Sequence, residues 1–157
     1  MSYSADALDG LGEGMNRIGV AALAVAGDPD ARILLYAEVN EVLVHMILRC
    51  ALPGAKNLRC AVESDELVDA IRDAWEHSRA AGIRYRWRAM VYLVKDRKMD
   101  VKLLYDGEVD PELTMWEKED LLLHEHFPGM EVEPAEELPG GVELTLDDRP
   151  FWKKLWR

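Results

Sequence analysis

The stretch ARILLYAEVNEVLVHMILRCA, residues 31–51, decides the fold because it predicts two apolar strands joined by a short turn. A loop at positions 40–41 sets Val39 opposite Val42. In that register one face of the hairpin is wholly apolar, as expected where burial fixes the pairing of two strands. The other face also carries apolar side chains, so neither face of this hairpin is expected to be fully solvated.

A second turn, at positions 53–54, leads into a short strand predicted over residues 56–62. This turn lies between Cys50 and Cys60. A tight connection there pairs 52 with 55 and hence Ile47 with Cys60, so the two cysteines are offset along their strands. That offset is unsuitable for a disulfide bond. We therefore predict two free thiols, as is usual in a reducing cytosol.

Two helices are predicted on either side of these strands along the chain. Residues 4–26 carry apolar side chains at helical spacing, although four internal glycines each cost about 1 kcal/mol relative to alanine. A second helix begins after Ser64, a good N-cap that two acidic residues follow. Its buried stripe is predicted to comprise Leu67, Ala70, Ile71, Ala74, Trp75 and Ser78.

Residues 84–94 and 99–106 predict a second hairpin, because apolar side chains alternate with charged ones in both segments. A two-residue loop at positions 96–97 would set Val91 against Lys102. A three-residue loop aligns the two apolar sets and is favoured for that reason.

A third helix is predicted from Pro111, capped by Asp110, to about Phe127. The order of elements then indicates an α+β fold. It comprises a mostly antiparallel sheet of about five strands, built from two hairpin units and packed by an N-terminal, a middle and a C-terminal helix. We expect the helices to cover one face of the sheet. Residues 1–128 form the predicted domain, and 129–157 form an acidic loop and a basic, tryptophan-containing C-terminal tail packed on it.

The charge is strongly negative and unevenly distributed. The chain has 19 basic and 30 acidic residues, which gives a formal charge of -11. Residues 107–148 contain 14 acidic residues and the single base Lys118, whereas residues 149–157 contain four bases and no acid. Affinity for nucleic acids is built from Lys and Arg, so this composition disfavours a nucleic-acid partner and favours a basic protein. The alternative is a solvated acidic surface that only maintains solubility.

Neither a membrane segment nor an export signal is predicted. The longest uncharged run, residues 18–27, is shorter than the roughly 20 apolar residues that span a bilayer. The first ten residues, MSYSADALDG, lack a basic region followed by an apolar core. We therefore expect a cytoplasmic protein without a membrane partner.

Signatures of catalysis or cofactor binding are weak. The glycine run at residues 10–14 has no preceding strand and no completed phosphate-loop motif. No serine lies in a nucleophile motif. His124 and His126 flank Glu125, but on a helix their side chains point about 200° apart, which disfavours a shared metal ion. No catalytic residue, metal ligand or cofactor is predicted.

The tryptophans fall into two groups. Trp75 and Trp87 lie in apolar stripes and are predicted to be core residues. Trp116 lies among acidic residues, and Trp152 and Trp156 lie in the basic tail. A tryptophan beside charges either packs on the protein's own sheet or anchors a binding patch.

Three stretches of the chain resemble the YezG-like bacterial immunity proteins. Residues 33–39, ILLYAEV, are similar to the family's LYAEV-like first strand. An acidic helix with a tryptophan at residues 65–78 and an aromatic-rich strand at residues 84–94 follow in the same order. Residues 98–106, KMDVKLLYD, resemble the family's KF-x-V-x-x-x-YDD strand, with methionine for the aromatic residue and Gly107 for the second aspartate. The resemblance covers residues 31–127.

The resemblance implies a cytosolic antitoxin. Such proteins bind and block a toxin domain, often a nuclease, of a polymorphic or contact-dependent secretion system, and their fold is α+β with a central antiparallel sheet. A nuclease must be basic to hold its substrate, and an acidic inhibitor can occupy its cleft through complementary charge. No functional residue is transferred from the family.

The leading hypothesis is therefore a non-catalytic immunity protein that neutralises a basic toxin through its acidic surface. The charge pattern alone selects the expected partner-binding residues, which are Glu108, Asp110, Glu112, Trp116, Glu117, Asp120, Glu131, Glu133, Glu136 and Glu137. Two alternatives stay open: a small metal-dependent hydrolase that uses His124 and His126, and a self-associating adaptor protein. A homodimer is compatible with either kind of binding protein.

Overall fold

The computed structural model describes residues 5–61, 64–80 and 87–133. Five strands form one antiparallel sheet in the spatial order β3-β2-β1-β4-β5. The predicted α+β class is confirmed. In chain order the elements are α1 (Ala5–Ala26), β1 (Arg32–Val39), β2 (Val44–Ala51), β3 (Arg59–Cys60), α2 (Asp65–Ala80), β4 (Ala89–Lys95), β5 (Lys98–Leu104) and α3 (Met115–His126).

The two central strands, β1 and β4, are buried on both faces. On one face, called the α1/α2 face here, Ile33, Leu35 and Tyr92 pack in a cluster with residues of α1 and α2. On the other, the α3 face, Leu34 and Val91 pack in a second cluster that includes residues of α3. The expectation that all helices cover one face is wrong for α3, because strands that are apolar on both sides need a covering layer on each.

The β1–β2 hairpin has a four-residue loop instead of the predicted two-residue loop. Val39 pairs with Val44, and the Asn40 side-chain oxygen accepts hydrogen bonds from the backbone N–H groups of Val42 and Leu43, at 2.8 and 2.9 Å. This Asx turn stabilises the longer loop. The predicted register is wrong by two residues, and an even shift leaves every side chain on its predicted face.

The β4–β5 hairpin turns through two residues, Asp96 and Arg97, whose φ angles are 53° and 60°. Two successive left-handed residues form the turn type that matches the right-handed twist of a hairpin. Val91 therefore lies opposite Lys102, and the predicted three-residue loop is wrong. The apolar sets needed no alignment, since β4 is apolar on both faces.

The third strand is shorter than predicted and comprises only Arg59–Cys60. Cys60 pairs with Arg49, whereas the predicted register sets it opposite Ile47, so the register is again wrong by two residues. Both cysteines are free, as predicted, with Cys50 buried and Cys60 exposed.

α2 begins and packs as its sequence predicts. The Ser64 hydroxyl accepts a hydrogen bond from the Leu67 N–H, and all six residues of the predicted stripe are buried. The buried indole of Trp75 donates to the Trp87 carbonyl at 2.8 Å, and the Trp87 indole donates to the Ser78 hydroxyl at 3.0 Å. Both tryptophans are core residues whose polar atoms are satisfied.

The glycines of α1 permit close packing on α2 and on the sheet. A Cβ atom at Gly14 would lie 3.4 Å from the Ala74 Cβ, and one at Gly19 would lie 2.5 Å from the Tyr92 hydroxyl oxygen. That hydroxyl is held in place because it donates to the Met15 carbonyl at 2.7 Å. Among the helices of the described ranges, none is long and apolar enough to cross a membrane.

We expect Gly19→Ala to lower the free energy of unfolding in urea denaturation. Overpacking against Tyr92 costs about 1–3 kcal/mol, of which the better helix propensity of alanine offsets about 1 kcal/mol. Gly12→Ala is the matched control in the same helix, because its Cβ would meet no atom within 4 Å, and it should stabilise the protein. Equal effects of the two substitutions would contradict the packing argument.

Candidate protein-binding surface

α3 begins with a capping box at Thr114. The Thr114 hydroxyl accepts a hydrogen bond from the Glu117 N–H at 3.1 Å, and the Glu117 carboxylate accepts one from the Thr114 N–H at 3.3 Å. The predicted start at Pro111 is wrong because this reciprocal pair is the stronger cap. Asp110 instead accepts a hydrogen bond from the Glu112 N–H at 2.9 Å, within the loop before the helix.

A buried ion pair fixes the middle of α3 to the sheet. The Arg49 guanidinium of β2 donates three hydrogen bonds of 2.7–3.3 Å to the Glu119 carboxylate. The two side chains are only 10% and 8% exposed. Because a buried charge is tolerated only when it is paired, this contact determines how α3 lies on the sheet.

A second polar contact lies one residue earlier on α3. The Lys118 ammonium group is 2.8 Å from the Glu38 carboxylate of β1, and that carboxylate also accepts a hydrogen bond from the Tyr36 hydroxyl at 2.7 Å. Burial, and then the hydrogen bond to Glu38, raises the pKa of Tyr36 well above its ordinary value, so the hydroxyl stays a donor. The inner side of α3 is thus tied to both β1 and β2.

The outer side of α3 presents a stripe of exposed residues. Trp116, Asp120 and His124 follow each other at intervals of four residues, which places them on one face of the helix. Trp116 is 58% exposed, so its indole does not pack on the protein's own sheet. An exposed indole next to a carboxylate is a typical element of a binding surface.

This stripe borders a groove of about 370 Å³ between α3 and the segment that follows it, called the α3 groove here. Its second wall is fixed because residues 131–133 run parallel to Leu58, with backbone hydrogen bonds of 2.9 and 2.7 Å. Its lining combines apolar side chains with carboxylates. The lining residues are Glu119, Asp120, Leu123, His124, Phe127, Gly129, Met130, Glu131 and Val132.

The structure brings together only part of the predicted acidic surface. Asp120 and Glu131 meet at the α3 groove. Glu108, Asp110 and Glu112 are exposed in the loop between β5 and α3 and do not line the groove. Within the described ranges, none of these five carboxylates forms an ion pair.

The remaining carboxylates predicted to bind a partner do not line the α3 groove in the described residues. Glu117 belongs to the capping box, and Glu133 is exposed next to the groove, where its N–H donates to the Leu58 carbonyl. Glu136 and Glu137 lie outside the described residues, as does the basic tail at 149–157.

The charge pattern missed the apolar part of the groove and did not distinguish the buried Glu119 from its exposed acidic neighbours. The apolar members of the lining are Leu123, Phe127, Met130 and Val132. The i, i+3 spacing places Leu123 next to Asp120 on the helix. Glu119 looks like its acidic neighbours in the sequence. Only the register of β2 shows that Arg49 lies beneath it.

The histidines of α3 do not form a metal centre in the described part of the chain. His124 lines the α3 groove, whereas the carbonyl of His126 accepts a hydrogen bond from Lys95 on β4. Over residues 5–61, 64–80 and 87–133, no three His, Cys, Asp or Glu side chains come together as they would to hold a metal ion.

Comparison with known proteins adds no assignment. The chain matches no protein-family model, and a search of the curated proteins found no match. The resemblance to YezG-like proteins therefore stays a resemblance. A functional assignment has to follow from the geometry of the α3 groove.

We expect Arg49→Met to lower the free energy of unfolding by about 3–5 kcal/mol, because it leaves the Glu119 carboxylate buried without its partner. The double variant Arg49→Met/Glu119→Leu should recover most of that loss, since it removes both charges. Urea denaturation measures both values. Asp30→Asn, which breaks the exposed pair with Arg97, is the control and should cause little change. A single variant as stable as the parent would contradict a structural role for the buried pair.

Proposed function

We propose that this protein is a non-catalytic binding protein that neutralises a basic toxin, in the manner of the YezG-like immunity proteins it resembles. The single observation that carries the proposal is the α3 groove, where apolar side chains lie beside Asp120 and Glu131, two carboxylates that form no ion pair with the lysines and arginines of the described residues. A protein partner, a cytoplasmic location and the absence of catalysis are parts of the same proposal.

The groove suits lysine and arginine side chains of a partner. Both have an apolar stem and a charged head, and the stem packs on apolar surface while the head reaches a polar rim. Leu123 and Met130, which are partly exposed, offer the apolar surface, and Asp120 and Glu131 line the same groove. A guanidinium–carboxylate contact adds a charge-assisted hydrogen bond.

Trp116 supplies the second element of the proposed surface. It lies one helical turn before Asp120 and is 58% exposed. Tryptophan is enriched among the few residues that contribute most to protein–protein affinity. An exposed indole beside an acidic groove therefore favours a protein partner over a small ion.

The rigid attachment of α3 supports an inhibitory role. Arg49 and Glu38 hold the helix from beneath, so the groove is formed before a partner arrives. Preorganised surfaces lose less conformational entropy on binding. The net charge of -11 also attracts a basic partner over long range and speeds association. Inhibition by occupying a cleft needs no catalytic group.

The two alternatives receive different support. A metal-dependent hydrolase would need a ligand set, and His124 has only Asp120, Glu119 and Glu131 as titratable neighbours in the groove, without a geometry that could hold a metal ion in the described residues. Self-association is compatible with the binding surface.

The test uses two separate variants, the double charge reversal Asp120→Lys/Glu131→Lys and the single substitution Trp116→Ala. The chain is co-expressed with the product of the neighbouring gene, and growth rescue and co-purification are measured. We expect the parent chain to rescue growth. Each variant should bind at least about tenfold more weakly, because one reverses the charge of two groove carboxylates and the other removes the aromatic anchor.

The matched control is Glu13→Lys/Asp69→Lys. These carboxylates are exposed on α1 and α2, on the opposite side of the sheet, and their reversal changes the net charge by the same amount. The control should bind like the parent protein. If both double reversals weaken binding equally, net charge rather than the α3 groove is responsible. A neighbouring product that is neither toxic nor bound would overturn the immunity role.

A further inference from the structure

The outer edge of β5 is an unpaired strand edge in the described part of the chain. β5 is the last strand of the sheet, and β4 is its one described neighbour. It is seven residues long and carries an exposed apolar side chain, Met99, at 45% exposure. Such an edge presents a row of backbone donors and acceptors that can pair with another strand.

The alternation of backbone hydrogen bonds along the strands determines which backbone groups of β5 point away from the sheet. The Val39 N–H donates to the Arg88 carbonyl at 2.9 Å, so even-numbered positions of β4 bond to β1. Backbone groups alternate in direction along a strand, so odd-numbered positions of β4 bond to β5. Their partners are the even-numbered residues of β5. The backbone groups that point away from the sheet are therefore those of Met99, Val101 and Leu103.

A second copy of the same strand fits this edge in one full-length antiparallel register. With a two-fold axis at Val101, all seven residues pair, and Asp100 of each copy lies opposite Lys102 of the other. Moving the axis to Asp100 or to Lys102 brings identical charges together at the axis. Opposite charges directly across an antiparallel pair are stabilising, and like charges are destabilising.

We propose that β5 pairs with β5 of a second copy of this chain, which makes a homodimer with one continuous sheet. The two-fold contact is isologous, as in most protein homodimers. The proposal does not depend on the proposed toxin partner, because the α3 groove includes no residue of β5.

Over residues 99–103 both faces of the joined strands are complementary in this register, and Lys98 lies opposite Leu104 at each end. On the α1/α2 face, Val101 meets its own copy and Met99 meets Leu103, which are apolar contacts. On the α3 face, Asp100 and Lys102 occupy a non-hydrogen-bonded pair, where opposing side chains lie closest together. Two such ion pairs form because the axis repeats each contact.

The same charges disfavour pairing with an unrelated strand. Lysines on an edge strand are a common protection against unspecific association, because they are costly to place against an apolar or basic neighbour. Here each Lys102 has an aspartate two residues before it, so the strand is complementary to its own copy. The pattern therefore gives specificity for self-pairing.

The decisive experiment is charge swapping, followed by analytical ultracentrifugation of the full chain. The parent protein is expected to sediment as a dimer. Asp100→Lys and Lys102→Asp should each give monomers, since each places two like charges opposite one another. An equimolar mixture of these two variants should regain the dimer, because in the heterodimer each lysine at positions 100 and 102 lies opposite an aspartate. Circular dichroism of each variant checks that the fold is retained.

A disulfide at the axis gives an independent measurement. In a Cys60→Ser background, Val101→Cys should form an intermolecular disulfide under mild oxidation, since residues of a hydrogen-bonded antiparallel pair are about 5.5 Å apart between Cα atoms. Asp69→Cys, on the exposed side of α2, is the control and should stay largely monomeric on a non-reducing gel.

Each outcome supports or overturns the proposal. A monomeric parent protein at high micromolar concentration would overturn it. Single charge variants that stay dimeric would also overturn it, because the dimer would then use another surface. Recovery of the dimer only in the mixture of the two variants supports the β5 register specifically.

Discussion

The architecture depends on one constraint, the burial of β1 and β4 on both faces. A sheet whose central strands are apolar on either side exposes a large hydrophobic surface unless a layer covers each face. α1 and α2 cover one face as a closely packed pair, in which glycines take the place of larger side chains. α3 covers the other. The placement of α3, and with it the acidic surface, follows from this requirement.

α3 is unusual for a helix that covers a sheet, because two of its charged residues, Lys118 and Glu119, point inward. Arg49 and Glu38 meet them, so the inner side is held by paired charges as well as by apolar contacts. A buried ion pair adds little net stability over an apolar pair, but loss of one partner leaves an unpaired buried charge. Trp116 and Asp120 lie on the exposed side of the helix that these contacts hold.

The distribution of roles among the acidic residues explains why charge alone is a poor guide to a site. Glu119 holds the helix, Glu117 caps it, and Glu108 accepts a backbone hydrogen bond in the preceding loop. Asp120 and Glu131 have no such structural partner in the described residues, and both line the α3 groove. The acidic segment thus contains structural carboxylates and available ones side by side, and only the available ones support binding.

The local pattern of the sequence determined the elements, and tertiary contacts decided how they meet. The stripe of α2, the extent of α1 and the burial of Trp75 and Trp87 follow from helical periodicity and apolar character, which depend on neighbouring residues alone. The register of the β1–β2 hairpin was wrong by two residues, because its loop length depends on turn hydrogen bonds such as those of Asn40. The face covered by α3 and the pairing of Glu119 with Arg49 join residues 70 positions apart. No local pattern records such a contact, since it forms only when the packed sheet brings the two charges together away from water.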